Sequence, residues 1–372
     1  MNEKLNVVSL FSGGGGLDLG LEAADFQIRY ENDIDPFSCK SLEMGKISAD
    51  KKGLSFFKNA IVINSDVKEL TGDSILRNSD LKKGQVNLLA GGPPCQAFSV
   101  FGNRRGREDH RGKLVYEYFR LLSEIKPDAF LFENVYGLLT VEKGAVFKMA
   151  CEELKEPAKG LKYNLSILRL NAANYGVPQF RDRIFIIGSR IEKTIDEIPK
   201  ITLNPESKEI SSNLVYRTVK DALRGLSKPN ENFPANHTGR KHSQRIIERY
   251  ASMSAGERDH FTRINKLDLA KPSYTIIVGS DKGGGKGHIH PISPREVTPR
   301  ESARIQTFPD WWGFTGTVRH SIRQIGNAVP PLLGFAVANA LREQIFGCRN
   351  VDFKSAVEKL SQKHLFPELF KI

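Results

Sequence analysis

From residue 5 to about residue 190 the chain alternates short apolar runs with amphipathic stretches. The runs at 6–11, 27–31, 60–64, 85–90, 129–133, 165–170 and 184–188 have the length of buried strands. Helical spacing of apolar residues fills several of the gaps, at 17–24, 36–44 and 114–125. Strands alternating with helices predict an α/β fold built on a doubly wound, mostly parallel sheet. Between about 191 and 293 the alternation stops, and proline and glycine are scattered without period. Helical spacing then returns at 300–306 and 332–344. The pattern divides the chain into a large domain over 1–190, a smaller irregular domain over 191–293, and a segment over 294–372 that returns to the first.

Composition changes this picture little, and charge changes it more. With 40% hydrophobic and 26% charged residues among 372, the chain has the makeup of a soluble globular protein. No apolar run approaches a membrane span, and the start lacks a signal-peptide pattern, so a cytoplasmic protein without a membrane partner is expected. Four cysteines lie far apart with no CxxC or Cys/His spacing, which excludes a disulfide framework and leaves no metal site to expect. The net charge of +12 points to a polyanionic partner, most plainly nucleic acid. Residues 236–271 carry eight Lys/Arg against four Asp/Glu, with Tyr250 and Phe261 interleaved. Such a run is a solvated face or a nucleic-acid surface.

Chemistry gathers at the ends of the predicted strands. "FSGGGGLDLG" after the first is a glycine loop opening a helix, where backbone can approach a ligand and free N–H groups face it. The second strand ends among Glu31, Asp33 and Asp35, and an acid there can hold both ribose hydroxyls. The third ends at Asp66, placed to accept from an adenine amino group. Each acid also reads as a helix N-cap. Together, Gly, Asp and Asp at successive strand ends suit an adenosine site at the carboxyl edge of a sheet. The fourth strand runs into Gly91-Gly92-Pro93-Pro94-Cys95. The prolines fix their own φ and bias the preceding residue to extended geometry, so Cys95 follows a stiff turn.

Six stretches in fixed order then become specific: Phe11-Ser-Gly-Gly-Gly-Gly, Pro93-Pro-Cys-Gln, Glu133-Asn-Val, "YGVPQFRDRIFIIG" at 175–188, "TPRESARIQTFPD" at 298–310, and "QIGNAVPP" at 324–331. The set resembles the DNA (cytosine-5) methyltransferases of the bacterial modification type, over residues 7–190 and 295–342. The resemblance implies a Rossmann-like S-adenosylmethionine-dependent methyltransferase fold with a target-recognition domain in the irregular insertion. It implies Cys95 as the nucleophile on carbon 6 of a flipped cytosine, and Glu133 bonding the cytosine ring nitrogen. Arg181 and Arg183 would hold the base oxygen and the neighbouring phosphate. For the cofactor, Phe11 would stack on adenine and Gly13, Gly14 and Gly16 would admit the methionine moiety. Asp33 falls where the family usually has glutamate for the ribose, and Ile34 where an aromatic is common; Asp66, Val67, Pro94, Leu114 and Asn327 complete that pocket. Expected DNA contacts are Gln96, Ser99, Arg104 and Arg105 in a closing loop, Gln179, and Arg240, Lys241 and Arg245 in the insertion. The partner is double-stranded DNA, bound by a monomer, with a cognate restriction endonuclease acting separately.

Three other readings compete. The tRNA-methylating branch of the same family shares the catalytic motifs but has a reduced recognition region, whereas this insertion runs to about a hundred residues. A silent DNA-binding homologue is disfavoured by the intact Cys95, Glu133 and Arg183. An NAD-dependent oxidoreductase explains neither Pro-Pro-Cys-Gln nor the basic insertion.

Overall fold

A computed structural model describes residues 4–94, 113–206, 214–229, 235–276, 278 and 287–370. The seven expected strands all form: β1 Leu5–Leu10, β2 Phe26–Asp33, β3 Ile61–Asn64, β4 Leu88–Gly91, β5 Ala129–Val135, β6 Asn164–Asn171 and β7 Asp182–Ser189. They make one sheet in the order β3-β2-β1-β4-β5-β7-β6. Strands β1 to β5 pair in parallel, whereas β7 runs antiparallel to both β5 and β6. The chain therefore winds outward from β1 in one direction and then from β4 in the other. That reversal leaves a crevice at the carboxyl ends of β1 and β4, where ligands bind in open sheets of this kind.

Side chains of successive strand residues point to opposite faces, and both faces are buried. Val7, Ile28, Leu88, Leu131 and Phe185 face one core, while Val8, Tyr30, Leu89, Phe130 and Ile186 face the other. Each fully buried side chain of this size contributes roughly 1.5–3 kcal/mol. On the first face lie α1 (Gly16–Ala23) and α2 (Pro36–Lys51). Two further helices, α3 (Gly72–Asn78) and α4 (Lys113–Ile125), cover the second face with α5 (Ala145–Lys155). Proline at N1 and an Asp35 side chain accepting from Phe37 N at 3.0 Å start α2 where the chain leaves β2.

The later helices are α6 (Val219–Leu223), α7 (Gln244–Ser252), α8 (Pro299–Ile305), α9 (Val318–Asn327), α10 (Pro331–Ala340) and α11 (Phe353–Lys359). A helical path continues from α10 as a π-turn at Leu341–Ile345. The composition break at 191 is not a packing boundary. Ile195, Ile198, Val219, Ala222, Leu267 and Ile276 enter the same core as β1, and only Tyr250, Met253 and Ile289 form a small cluster apart. The C-terminal tail straps this region down. Arg217 lies 4.5 Å over the Phe366 ring and pairs with Glu368 at 2.5 Å, while Arg224 donates to His364 O at 2.9 Å. Lys359 reaches Asp25 beyond the end of α1 at 2.5 Å. No described helix is long and apolar enough to cross a membrane.

Behind the first strand, α1 buries two carboxyls. Glu22 accepts from Ile28 N at 3.0 Å, yet burial pushes its pKa from 4.5 up to about 8, and burial likewise takes Asp18 from 3.8 to about 6. The folded state thus holds protons that the unfolded chain has already released above pH 4.5. Stability from this source is complete below the unfolded value and is lost as pH rises through about 8. The melting temperature should fall between about pH 4.5 and 8, and Glu22→Gln should flatten that slope. Parallel slopes in the two proteins, read by differential scanning calorimetry, would remove Glu22 as the cause.

Candidate active site

Strand register decides which strand ends meet. Leu10 of β1 lies beside Gly91 of β4, and Gly91 lies beside Phe132 of β5. The glycine loop, the Gly92-Pro93-Pro94 turn and Glu133 therefore leave the sheet side by side. Asn134 Nδ2 donates to Pro93 O at 2.9 Å, tying the turn to β5. Gly92 lies so close that a Cβ there would stand 2.7 Å from Glu133 Oε2. Cys95 follows this turn by one peptide bond and itself lies outside the described residues, as do Gln96, Ser99, Arg104 and Arg105. Of the described cysteines, Cys39 and Cys151 are buried, and burial pushes both thiols up to about 11. Neither is suited to thiolate chemistry at neutral pH.

Glu133 is mostly buried beside two arginines. Arg183 Nε stands 2.9 Å from Glu133 Oε1, the pair being nearly enclosed at 10% and 12% exposure. The contact follows from the antiparallel pairing of β5 and β7, which sets Glu133 against Phe185 and Val135 against Arg183. Burial raises the Glu133 pKa, with Arg183 and then Arg181 opposing it. Desolvation wins, so this carboxyl holds a proton more readily than an ordinary glutamic acid. Arg181 is fully buried, and its Nη2 donates to Gly326 O at 2.7 Å and to Ala328 O at 2.9 Å. Its Nε and Nη1 have no partner among the described residues. Arg181 thus clamps the end of α9 as well as facing Glu133, a role its spacing from Arg183 gave no sign of.

The glycine loop turns through left-handed backbone at Phe11, Gly13 and Gly15, with φ of 55°, 54° and 77°. The helix α1 that follows starts at Gly15 with no side-chain cap, so its first N–H groups are free to meet an anionic or polar ligand. Asp33 spans the loop: Oδ2 accepts from Gly13 N at 2.9 Å and Oδ1 from Asp35 N at 2.8 Å. Each carboxylate oxygen keeps a second lone pair. The loop and its acid therefore fit an adenosyl cofactor. Two of the glycines answer to packing as well. A Cβ on Gly14 would stand 2.9 Å from Gln324 O, and one on Gly16 would overlap Val329 O. Trp312, which the sequence pattern did not single out, donates its Nε1 to Gly14 O at 3.0 Å.

The other expected cofactor residues are distributed around this loop. Ile34 is 66% exposed at the end of β2, and Asn327 is exposed at the end of α9. Asp66 caps the short turn Val67–Glu69, accepting from Lys68 N at 3.1 Å, and Val67 is buried beneath it. Pro94 is exposed and Leu114 half-buried. Of the other acids around the end of β2, Glu31 is fully buried within the strand, and Asp35 pairs with Arg323 at 2.6 Å. Asp33→Ala should weaken S-adenosylmethionine binding by roughly 1.5–3 kcal/mol, the range for hydrogen bonds to a charged group. Calorimetry without DNA checks this, and unchanged affinity would put the ribose contact elsewhere.

Among expected DNA contacts, the structure moves Gln179 to a different role. It is fully buried, with Oε1 accepting from Ile276 N at 3.1 Å and Nε2 donating to Gln306 Oε1 at 3.1 Å. Its amide is used inside the protein, with no surface left for DNA. Arg240 pairs with Glu296 at 3.2 Å, while Lys241 and Arg245 are exposed, Arg245 on α7. Among the described residues no cluster of His, Cys, Asp or Glu could hold a metal ion.

Comparison with known proteins agrees with this geometry. The family model for C-5 cytosine-specific DNA methylase matches residues 5–343. The chain is 32% identical to the type II methyltransferase M.XorII of Xanthomonas oryzae pv. oryzae, over 91% of this chain and 84% of that one. It is 30% identical to M.FnuDI of Fusobacterium nucleatum, over 97% of this chain and all of that one. Among solved structures it resembles a putative DNA modification methyltransferase encoded within an Escherichia coli prophage, at 28% identity and a TM-score of 0.72, covering 92% of this chain and 100% of that one. The Dnmt2 methyltransferase of S. pombe, at 18% identity and a TM-score of 0.62 over 91% of this chain and 99% of that one, shares the fold. With its sheet order, its glycine loop and its paired Glu133 and Arg183, the chain belongs to the C-5 cytosine-specific DNA methylases and is a DNA (cytosine-5) methyltransferase.

Proposed function

We propose that the protein methylates one short DNA sequence, with Cys95 as the nucleophile and the basic region of about 191–293 as the reader, as the modification half of a restriction–modification system. The observation that carries the reading is the placing of Glu133, whose pKa burial raises, against the turn that leads into Cys95. Carbon 5 of cytosine is a poor nucleophile. Adding the Cys95 thiolate to carbon 6 pushes the ring electrons towards carbon 5, which is covalent catalysis. Glu133 donates its hydrogen bond to the ring nitrogen and so takes up the charge that this addition creates. Arg183 holds Glu133 in place and offers its remaining N–H groups to the base oxygen. Phe11, Gly13 and Asp33 with Asp66 and Asn327 would hold S-adenosylmethionine, whose sulfonium would supply an electrophilic methyl group and depart as the neutral thioether. Loss of the carbon 5 proton then expels Cys95 and restores the aromatic ring.

The exposed Lys241 and Arg245 suit phosphate or base-edge contacts in the major groove. Flipping the base costs a few kcal/mol of unstacking, which contacts between the protein and the DNA must offset. The protein is expressed in a host without cytosine-5 methylation, and the genome is mapped by bisulfite sequencing. One short sequence should be protected at every occurrence. Scattered protection, or none, would contradict a site-specific DNA enzyme, and label entering tRNA instead would favour the other branch of the family.

A further inference from the structure

The segment Gln324 to Val329, at the end of α9, touches three parts of the molecule that do different work. On one side it carries the glycine loop, since Gly14 sits against Gln324 O and Gly16 against Val329 O and Ala328. On a second side Arg181, next to Glu133, grips Gly326 O and Ala328 O. On the third side lies the insertion. A Cβ on Gly326 would stand 2.6 Å from Val278 Cγ2 and 3.5 Å from Ile276 Cγ2.

A chain of buried amides fixes this third contact. Ile276 N donates to Gln179 Oε1, Gln179 Nε2 to Gln306 Oε1, and Gln306 Nε2 to Ile325 O at 2.7 Å. All the links are buried. A backbone donor at one end and a backbone acceptor at the other permit only one orientation of both amides. The same insertion segment is laced to the backbone leading into Arg181: Phe180 N donates to Ser273 O at 2.9 Å, and Thr275 Oγ1 to Phe180 O at 2.7 Å. A shift of residues 273–276 therefore cannot stay local, because breaking the relay leaves buried polar groups unpaired at about 1–3 kcal/mol each.

We propose that Gln306 is a positioning residue in a relay, Ile276–Gln179–Gln306–Ile325, through which seating of the insertion on its DNA sequence tightens the cofactor loop. This inference rests on the insertion being the reader. The relay predicts reciprocal coupling: the right duplex raises affinity for the cofactor, and the cofactor raises affinity for that duplex by the same factor.

The test measures S-adenosylhomocysteine affinity of the full chain by calorimetry in three states: alone, with a duplex bearing the sequence found by bisulfite mapping, and with a scrambled duplex. In the parent the right duplex should tighten binding roughly fivefold or more over the scrambled one. Gln306→Leu should bring that ratio close to one while affinity without DNA stays within about twofold. Val278→Ala, which loosens the contact with Gly326 without stranding a polar group, should lower the ratio partway and guards against a Gln306 variant that fails to fold. A parent ratio of one, or an undiminished ratio in both variants, overturns the relay while leaving the methyltransferase intact. If changes at Lys241 and Arg245 leave the methylated sequence unaltered while those around 100–113 alter it, the insertion is not the reader and the relay falls with that reading.

Discussion

Cys95→Ala is expected to bring methyl transfer to background while leaving DNA binding and folding close to those of the parent. The nucleophile is the group without which carbon 5 never becomes reactive, so no partial route remains. Losing such a group costs about 10⁴–10⁶ in kcat where it has been measured in covalent enzymes. Folding should be spared because Asn134 holds the turn at Pro93, before the cysteine. The measurement is transfer of labelled methyl groups to duplex DNA beside a filter-binding assay on the same duplex. Activity above a hundredth of the parent in Cys95→Ala would put the covalent step elsewhere.

The second large effect is expected at Arg183. Arg183→Leu removes the partner of a nearly enclosed carboxylate, and breaking such a pair costs roughly 3–5 kcal/mol. Glu133 already leans towards its protonated form through burial, and without Arg183 it leans further. The loss of stability should therefore be smaller at acidic than at alkaline pH, where the carboxyl would have to ionise without Arg183. Adding Glu133→Gln to Arg183→Leu should restore part of the stability, since no carboxylate is then left without Arg183. It should not restore activity, because on the proposed mechanism the base loses both groups that orient it. Denaturant unfolding at acidic and at alkaline pH, with turnover measured alongside, separates these effects. A destabilisation independent of pH would mean that packing, not charge, accounts for it.

The sheet and its chemistry were legible because they are local. Val7 and Val8, or Leu88 and Leu89, announce strands buried on both faces whatever else the chain does. Glycine, proline and acid at the strand ends mark the carboxyl edge in the same local way. Strand direction is not local: nothing in residues 182–189 shows that β7 enters antiparallel, yet that reversal is what sets Arg183 against Glu133. Gln179 was misplaced for a similar reason. Its partner Gln306 is 127 residues away, and one polar side chain in a basic motif reads as a surface group until that partner is seen. The break at 191 marks a change of composition, but Ile195, Ile198 and Val219 carry no period from which their place in the main core could be read. Trp312 and the Phe366 strap are further cases in which a lone aromatic gave no sign of what it covers.

The account stands most directly on a covalent bond between Cys95 and cytosine. A duplex carrying 5-fluorocytosine at the methylated position, incubated with the protein and S-adenosylmethionine, should stop the reaction after methyl transfer, because fluorine does not leave as the proton does. The predicted result is a denaturation-resistant protein–DNA adduct whose peptide map places the DNA on Cys95. An adduct on Cys39, Cys151 or Cys348, or methylated DNA with no adduct at all, would contradict it.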